Sequence, residues 1–297
     1  MNNFEPIFKK NLASKSALLK ISSVLLATNL KTGGFRSIFE GNGIEFSSVR
    51  EYFPGDNVRA IDWNVTARMG RAFVKQYEED QELNVFILLD GSASMHALGG
   101  EKFLTACWCA ALLSSATHLR DGAVGAILFD GELRFCCPPI SGFAQNALVL
   151  SKIDSFSNSV SRGTAIEGAL NLCATLLNKR SLIFVISDFR VNADLWKNGV
   201  SFLAAKHDVV AIKIEEPFDF SLPHLGTLNF FDSETLISRV LPTSSSSFEK
   251  SWKKAAVERA NFWRETCAKN GVSTIEINTK DDVCESLSRF FAKRRRR

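Results

Sequence analysis

The chain has 297 residues, of which 45% are hydrophobic and 23% charged, and its formal net charge is +4. That balance suits a globular protein with a sizeable core and speaks against a disordered or fibrous one. No stretch reaches the roughly 20 apolar residues a membrane-crossing helix needs, and five of the positive charges fall in Lys293-Arg294-Arg295-Arg296-Arg297, leaving the remainder close to neutral.

In chain order, residues 5–31 read as one or two amphipathic helices, stopped by Thr32-Gly33-Gly34. Residues 35–80 change character, with glycines, Pro54-Gly55-Asp56 and an alternating Phe73-Val74-Lys75-Gln76-Tyr77, and predict short strands and turns rather than helix. Strand 84–90 leads to helix 101–120 and strand 123–129. Asp130-Gly131 then turns into an edge strand over 132–137 that Pro138-Pro139 should end. Helix 142–153, helix 165–178, strand 181–187, helix 193–206 and strand 208–214 follow. A β-rich stretch at 216–242 precedes helix 248–270, strand 272–277 and helix 281–293. Alternating β and α units predict an α/β fold with a doubly wound, mostly parallel sheet. The expected organisation is an N-terminal helix and β-rich segment at 1–80 packed on the core, an α/β domain at 81–293 with an insert at 216–242, and a basic tail at 294–297.

The seven cysteines have no metal-finger spacing, and the four histidines show no partnering motif. Buried free thiols in a reducing cytoplasm are the simplest expectation, so the chain reads as cytoplasmic.

Asn84-Val85-Phe86-Ile87-Leu88-Leu89-Asp90-Gly91-Ser92-Ala93-Ser94 is the most informative run. Five apolar residues in a row read as a strand buried on both faces. It ends on a carboxylate, a glycine turn and two hydroxyls, at the carboxyl end of a central strand, where open α/β sheets bind ligands. Thr164 offers a third hydroxyl just before a helix, and a second buried strand ends on Asp188. Carboxylate and hydroxyl oxygens form a hard ligand set suited to Mg²⁺ or Mn²⁺. The plainer reading is that the serines cap a helix and the aspartates merely end strands.

This D-x-S-x-S, T, D order resembles the metal-ion-dependent adhesion site of von Willebrand factor A domains. The resemblance implies that Ser92 and Ser94 ligate the ion directly. Asp90, Asp188 and Thr164 would do so directly or through water, and one position would stay open for a partner's carboxylate.

A second signature comprises Gly41-Asn42-Gly43-Ile44-Glu45-Phe46, Arg50-Glu51-Tyr52, Pro54-Gly55-Asp56-Asn57-Val58-Arg59, Ile61-Asp62-Trp63 and Ala67-Arg68. Charges interleave with aromatics there, so Arg50, Arg59 and Arg68 are expected to pair with Asp56, Asp62 and Glu45 to offset desolvation. The set Arg50, Tyr52, Asp56, Arg59, Asp62, Trp63 and Arg68 reads either as a structural brace or as a docking surface. With the α/β core behind it, and the insert carrying Pro223, Asp232, Glu234 and Thr235, this signature resembles the domain-of-unknown-function-58 family. The resemblance implies a MoxR-type AAA+ ATPase partner, other von Willebrand A-domain proteins in the same assemblies, and a chaperone-like role in complex assembly or stress tolerance.

A non-enzymatic adaptor is therefore expected. A hydrolase or phosphatase using Asp90 and Asp188 is the alternative, although the second aspartate a phosphoryl-aspartate site needs is replaced by Ser92, and no phosphate-binding loop is present. A scaffold that binds nucleic acid or a membrane surface through the basic tail is the second alternative, although no aromatic-interleaved basic groove precedes the tail. The basic tail offers peripheral contact with anionic membrane at its inner face.

Overall fold

The computed structural model describes residues 23–24, 44–79, 83–156, 163–221, 226–231 and 238–295. The expected helices at 5–31 and the residues Pro223, Asp232, Glu234 and Thr235 lie outside these, apart from Ser23 and Val24. The described chain forms two compact units, one within Phe35–Glu82 and one containing the residues from Leu83 onward.

In the small unit, β1 (Ile44–Glu51) pairs antiparallel with β2 (Phe73–Glu79). Between them lie a 3-10 turn at Val58–Ala60 and a short helix, α1 (Trp63–Met69). The helix corrects the expectation of strands and turns alone. Asp62 caps it, accepting from the Asn64 and Val65 amides at 3.0 and 3.3 Å, and Gly70 ends it at φ 70. An aspartate cap followed by a left-handed glycine suffices to delimit seven residues that carry no apolar period of their own.

The large unit holds β3 (Asn84–Asp90), β4 (Ala123–Phe129), β5 (Leu133–Ser141), β6 (Leu182–Ser187), β7 (Asp208–Glu215), β8 (Thr227–Phe231), β9 (Ser238–Pro242) and β10 (Ser273–Asn278). Six of them form one sheet in the order β10-β7-β6-β3-β4-β5; all neighbours are parallel except β4 and β5. β8 and β9 make a separate antiparallel hairpin within the expected insert.

Every residue of β3 and β6 is buried, as their uninterrupted apolar runs require. Helices cover both faces. α2 (Glu101–His118) is buried along most of its length and packs with α3 (Phe143–Phe156) and α7 (Val283–Arg295). On the other face, α4 (Ile166–Leu176), α5 (Lys197–Ala204) and α6 (Ser246–Lys269) set Leu170, Leu203 and Trp263 against Phe86, Ile183 and Val209. The doubly wound, mostly parallel α/β fold expected from the alternation is the fold observed.

Three boundaries differ. β5 runs through Pro138 and Pro139 to Ser141, because it is an edge strand and the register slips between the pairs Ala126↔Cys137 and Val124↔Ile140; a bulged edge tolerates prolines that a central strand would not. The expected helix 193–206 is a 3-10 turn at Ala193–Leu195 followed by α5. The basic end is helical through Arg295, and Arg294 there holds Asp208 with two contacts of 2.8 Å, so the first of the expected tail residues belong to the packed α/β unit. No disulfide forms; Cys107, Cys109, Cys137, Cys173 and Cys267 are buried free thiols and Cys136 is exposed. No helix among the described residues is long and apolar enough to cross a membrane.

Candidate metal centre

The sheet changes direction of winding between β3 and β6, so the loops after these two strands diverge and leave a crevice at their carboxyl ends. Asp90 and Asp188 stand there. Asp90 is buried; its Oδ1 accepts from the Ser92 amide at 2.8 Å and its Oδ2 from Ser187 Oγ at 2.6 Å. Gly91 lets the chain turn against α3: a Cβ there would sit 2.6 Å from the Phe156 ring.

The next residues form tight turns, with the Met95 amide on Ser92 O and the His96 amide on Ala93 O, and α2 begins only after Gly100. Ser92 and Ser94 cap no helix, so the plainer reading of these serines does not hold. Instead Ser92 Oγ lies 3.3 Å from Ser94 Oγ, and Ser94 Oγ lies 3.2 Å from Asp188 Oδ1. The structure thus brings Asp90, Ser92, Ser94 and Asp188 together. Thr164 makes no hydrogen bond to these four; its loop lies beside the Gly91 turn, where the Ala165 amide bonds Asp130 O at 2.6 Å just after β4 and the Gly91 amide bonds Phe129 O at 2.7 Å. Thr164 Oγ1 is buried and has no hydrogen-bond partner.

These residues fit a small divalent cation on two counts. The Ser92–Ser94 and Ser94–Asp188 hydrogen bonds are long, at 3.3 and 3.2 Å. They are close to the roughly 3.0 Å edge of an octahedron whose oxygens sit about 2.1 Å from a Mg²⁺ ion. The Thr164 hydroxyl is buried without a protein partner, a polar atom that a bound cation would satisfy. Among the described residues no group of three or more His, Cys, Asp or Glu could hold a metal; two carboxylates and three hydroxyls would be an all-oxygen set, which suits Mg²⁺ or Mn²⁺ better than zinc.

Burial pushes the Asp90 carboxyl up to about 7, against the lowering effect of the Ser187 hydrogen bond, and the Asp188 charge adds to the rise. Phe189, directly after Asp188, has φ 50, a left-handed conformation that costs a bulky residue of the order of 1–3 kcal/mol. The Phe189 amide on Ser187 Oγ and its ring contacts with Trp196 and Trp263 hold it there.

Five neighbours carried no signal for this site in the sequence. Lys102, in the first turn of α2, is 1% exposed; its Nζ lies 3.4 Å from Asp188 Oδ2 and 2.9 Å from Asp219 Oδ1. Asp219 also accepts from Arg190 at 3.2 Å and, through Oδ2, from the Glu216 amide at 3.0 Å. Ser187 holds Asp90, and Asp130 fixes the Thr164 loop. Burial raises the Glu216 carboxyl, and the Lys102 charge partly offsets it. Of these, Ser187 alone was adjacent to a recognised site residue.

In the small unit, Arg50 grips Asp56 with two contacts of 2.7 Å, and Asp56 Oδ2 also accepts the Phe53 amide at 2.9 Å. The hydrogen bonds from Arg50 and the Phe53 amide hold the Asp56 carboxyl at about 2. The Tyr52 amide bonds Ala72 O. Asp62 pairs with Lys75 at 3.8 Å, not with an arginine. Arg59 and Arg68 are exposed and form no ion pair among the described residues, which show the Arg50–Asp56 part of the expected pairing; the Glu45 side chain lies outside them. Trp63 is 67% exposed, and Phe53, Val58 and Met69 are exposed beside it in sequence.

Residues 48–261 match the family described as "Protein of unknown function DUF58". The chain belongs to the DUF58 family. Rv1480 of Mycobacterium tuberculosis H37Rv, an uncharacterized protein, is 29% identical over 276 residues, covering 89% of this DUF58 chain and 84% of that one. YeaD of Bacillus subtilis, also uncharacterized, is 40% identical over 48 residues, 16% of this chain and 12% of that one. Among solved structures, an aerotolerance-related membrane protein from Bacteroides fragilis aligns with TM-score 0.47 and 19% identity over 71% of this chain and 99% of its own. The SpRpn10 VWA domain aligns with TM-score 0.36 and 10% identity over 70% and 94%.

Proposed function

We propose that this DUF58 protein is a non-enzymatic, metal-dependent protein-binding adaptor that works with a MoxR-type AAA+ ATPase, alongside other von Willebrand A-domain proteins, in chaperone-like complex assembly or stress response. The observation that carries the metal-dependent part is the convergence of Asp90, Ser92, Ser94 and Asp188 at the winding reversal of the sheet, with oxygen spacings near 3.2–3.3 Å. Ser92 and Ser94 would present hydroxyl oxygens, Asp188 a carboxylate oxygen, Asp90 its charge, and Thr164 the buried hydroxyl that lacks a partner. A bound Mg²⁺ or Mn²⁺ would supply an open coordination position that a partner's Asp or Glu carboxylate could complete. The strained backbone at Phe189 supports a functional reading, since such strain persists where a side chain must be aimed.

The hydrolase alternative is less well supported. Asp90 is 1% exposed and both its oxygens accept hydrogen bonds, which suits a supporting carboxylate better than an attacking one. The exposed Phe53, Val58, Trp63 and Met69 offer the small unit as the ATPase-docking surface. A location in the cytoplasm, with peripheral membrane contact through the basic end, remains part of this proposal.

The test is affinity capture from native lysate with wild type and an Asp90→Ala/Ser92→Ala variant, in Mg²⁺ and in EDTA. An AAA+ ATPase held by wild type in Mg²⁺ alone is the expected result. The same ATPase held equally in all four conditions would contradict metal-dependent binding and move docking to the small unit.

A further inference from the structure

The candidate centre has a feature that its ligand set does not explain: a fully buried ammonium already sits on one of its carboxylates. Lys102 lies in the first turn of α2, where the helix dipole disfavours a cation. Its side chain is 1% exposed, so solvent does not compensate it. What holds it are carboxylates: Asp188 Oδ2 at 3.4 Å and Asp219 Oδ1 at 2.9 Å. The two contacts are unequal, with Asp219 the closer partner. A third carboxylate is at hand. Glu216 is 3% exposed, lies within electrostatic reach of Lys102, and its Oε2 is buried with no hydrogen-bond partner.

We propose that Lys102 is a built-in cation that competes with a divalent metal ion for Asp188, and that Asp219 and Glu216 form the seat to which its ammonium withdraws. This rests on the reading of Asp90, Ser92, Ser94, Thr164 and Asp188 as a cation centre. Two cations drawn to one carboxylate in a poorly solvated site repel each other strongly. Lys102 therefore neutralises Asp188 through Oδ2 when no metal is bound, and is repelled from that carboxylate when an ion sits at Oδ1, the oxygen facing Ser94. Its retreat satisfies the partnerless Glu216 oxygen. Asp219 is shared with Arg190, whose guanidinium is about one-third exposed, so a closer Lys102–Asp219 pair loosens the Arg190–Asp219 contact beside the site. Metal occupancy is in this way linked to an arginine at the surface, where an acidic partner would meet it.

Mn²⁺ affinity of the full chain, measured by calorimetry, tests this with Lys102→Met, Asp219→Asn and the double variant. Couplings of this kind typically amount to about 5- to 150-fold in affinity. Lys102→Met should bind Mn²⁺ about tenfold or more tightly than wild type. Asp219→Asn should bind it more weakly, because Lys102 then falls back on Asp188. The double variant should match Lys102→Met, since the loss of Asp219 acts through Lys102. A Lys102→Met affinity within about twofold of wild type would overturn the proposal, as would single effects that simply add in the double variant. If Lys102→Met does not fold, Asp219→Asn decides alone: weaker Mn²⁺ binding supports the competition, and unchanged or tighter binding overturns it. If neither wild type nor Lys102→Met binds Mn²⁺, the cation-centre reading itself fails. Binding by Lys102→Met but not by wild type would be the strongest support for the competition.

Discussion

Ser187 Oγ donates to Asp90 Oδ2 at 2.6 Å, tying the carboxyl ends of two neighbouring parallel strands across the point where the sheet reverses its winding. That bond favours the charged form of Asp90, yet burial outweighs it and the carboxyl is raised to about 7.

The sign of the resulting pH dependence follows directly. An unfolded aspartate loses its proton near pH 3.9, about as in a model peptide. Between roughly pH 4 and 7 the folded chain therefore holds a proton that the unfolded chain has lost, and stability falls as pH rises, by up to about 1.4 kcal/mol per pH unit. Urea unfolding in EDTA at several pH values should show this decline, and Asp90→Asn should reduce it, leaving the part that the burial-raised Glu216 carboxyl adds. A wild-type decline undiminished in Asp90→Asn would show that Asp90 is not responsible.

Gly91→Ala tests the turn that sets the serines. The added Cβ would meet the Phe156 ring at 2.6 Å, inside a close-packed core. Overpacking of this kind costs about 1–3 kcal/mol. A lowered melting temperature is expected, and a Gly91→Ala/Phe156→Leu double variant should recover part of it. An unchanged melting temperature in the single variant would mean that the ring yields freely.

How much of this was legible in the chain depends on how local each signal is. β3 and β6 were readable because uninterrupted apolar runs announce strands buried on both faces. Asp90, Ser92, Ser94 and Asp188 were readable because each sits at the end of such a strand, and the winding reversal brings the two ends together. Lys102 was not, because a lysine in the first turn of a helix reads as solvated, and its closer partner, Asp219, is 117 residues away. α1 was missed because seven residues are too few to show a period, although Asp62 and Gly70 are a cap and a stop. The two prolines of β5 were read as an end because they donate no hydrogen bond, which matters little at a bulged edge.

The Arg50–Asp56 pair predicts an opposite pH response in the small unit. Its folded carboxyl sits at about 2, below that of an unfolded aspartate. The pair therefore stabilises fully above roughly pH 4, the unfolded range, and its contribution is lost as pH falls toward 2. The protection factor of the Phe53 amide, which Asp56 accepts at 2.9 Å, should fall on acidification toward pH 2. Asp56→Asn should show the lower protection already at pH 5. Equal protection in both proteins at pH 5 would contradict the pairing.

Asp62 and Trp63 separate structural support from docking. Asp62→Ala removes the cap of α1 and should cost the small unit about 0.5–2 kcal/mol. Trp63→Ala removes an exposed ring, so stability should change by less than about 0.5 kcal/mol, while capture of the AAA+ ATPase should weaken. If Trp63→Ala leaves capture intact, the ring is not part of the docking surface.

The central claim is that Ser92, Ser94 and Asp188 share one divalent cation, and crystals grown with Mn²⁺ test it most directly. The anomalous signal should give one peak at the carboxyl ends of β3 and β6, with both serine hydroxyl oxygens about 2.0–2.2 Å away. It should vanish in Asp90→Ala/Ser92→Ala. A wild-type crystal at millimolar Mn²⁺ with no peak there, or with the Lys102 ammonium still seated on Asp188 and the ion elsewhere, would contradict it.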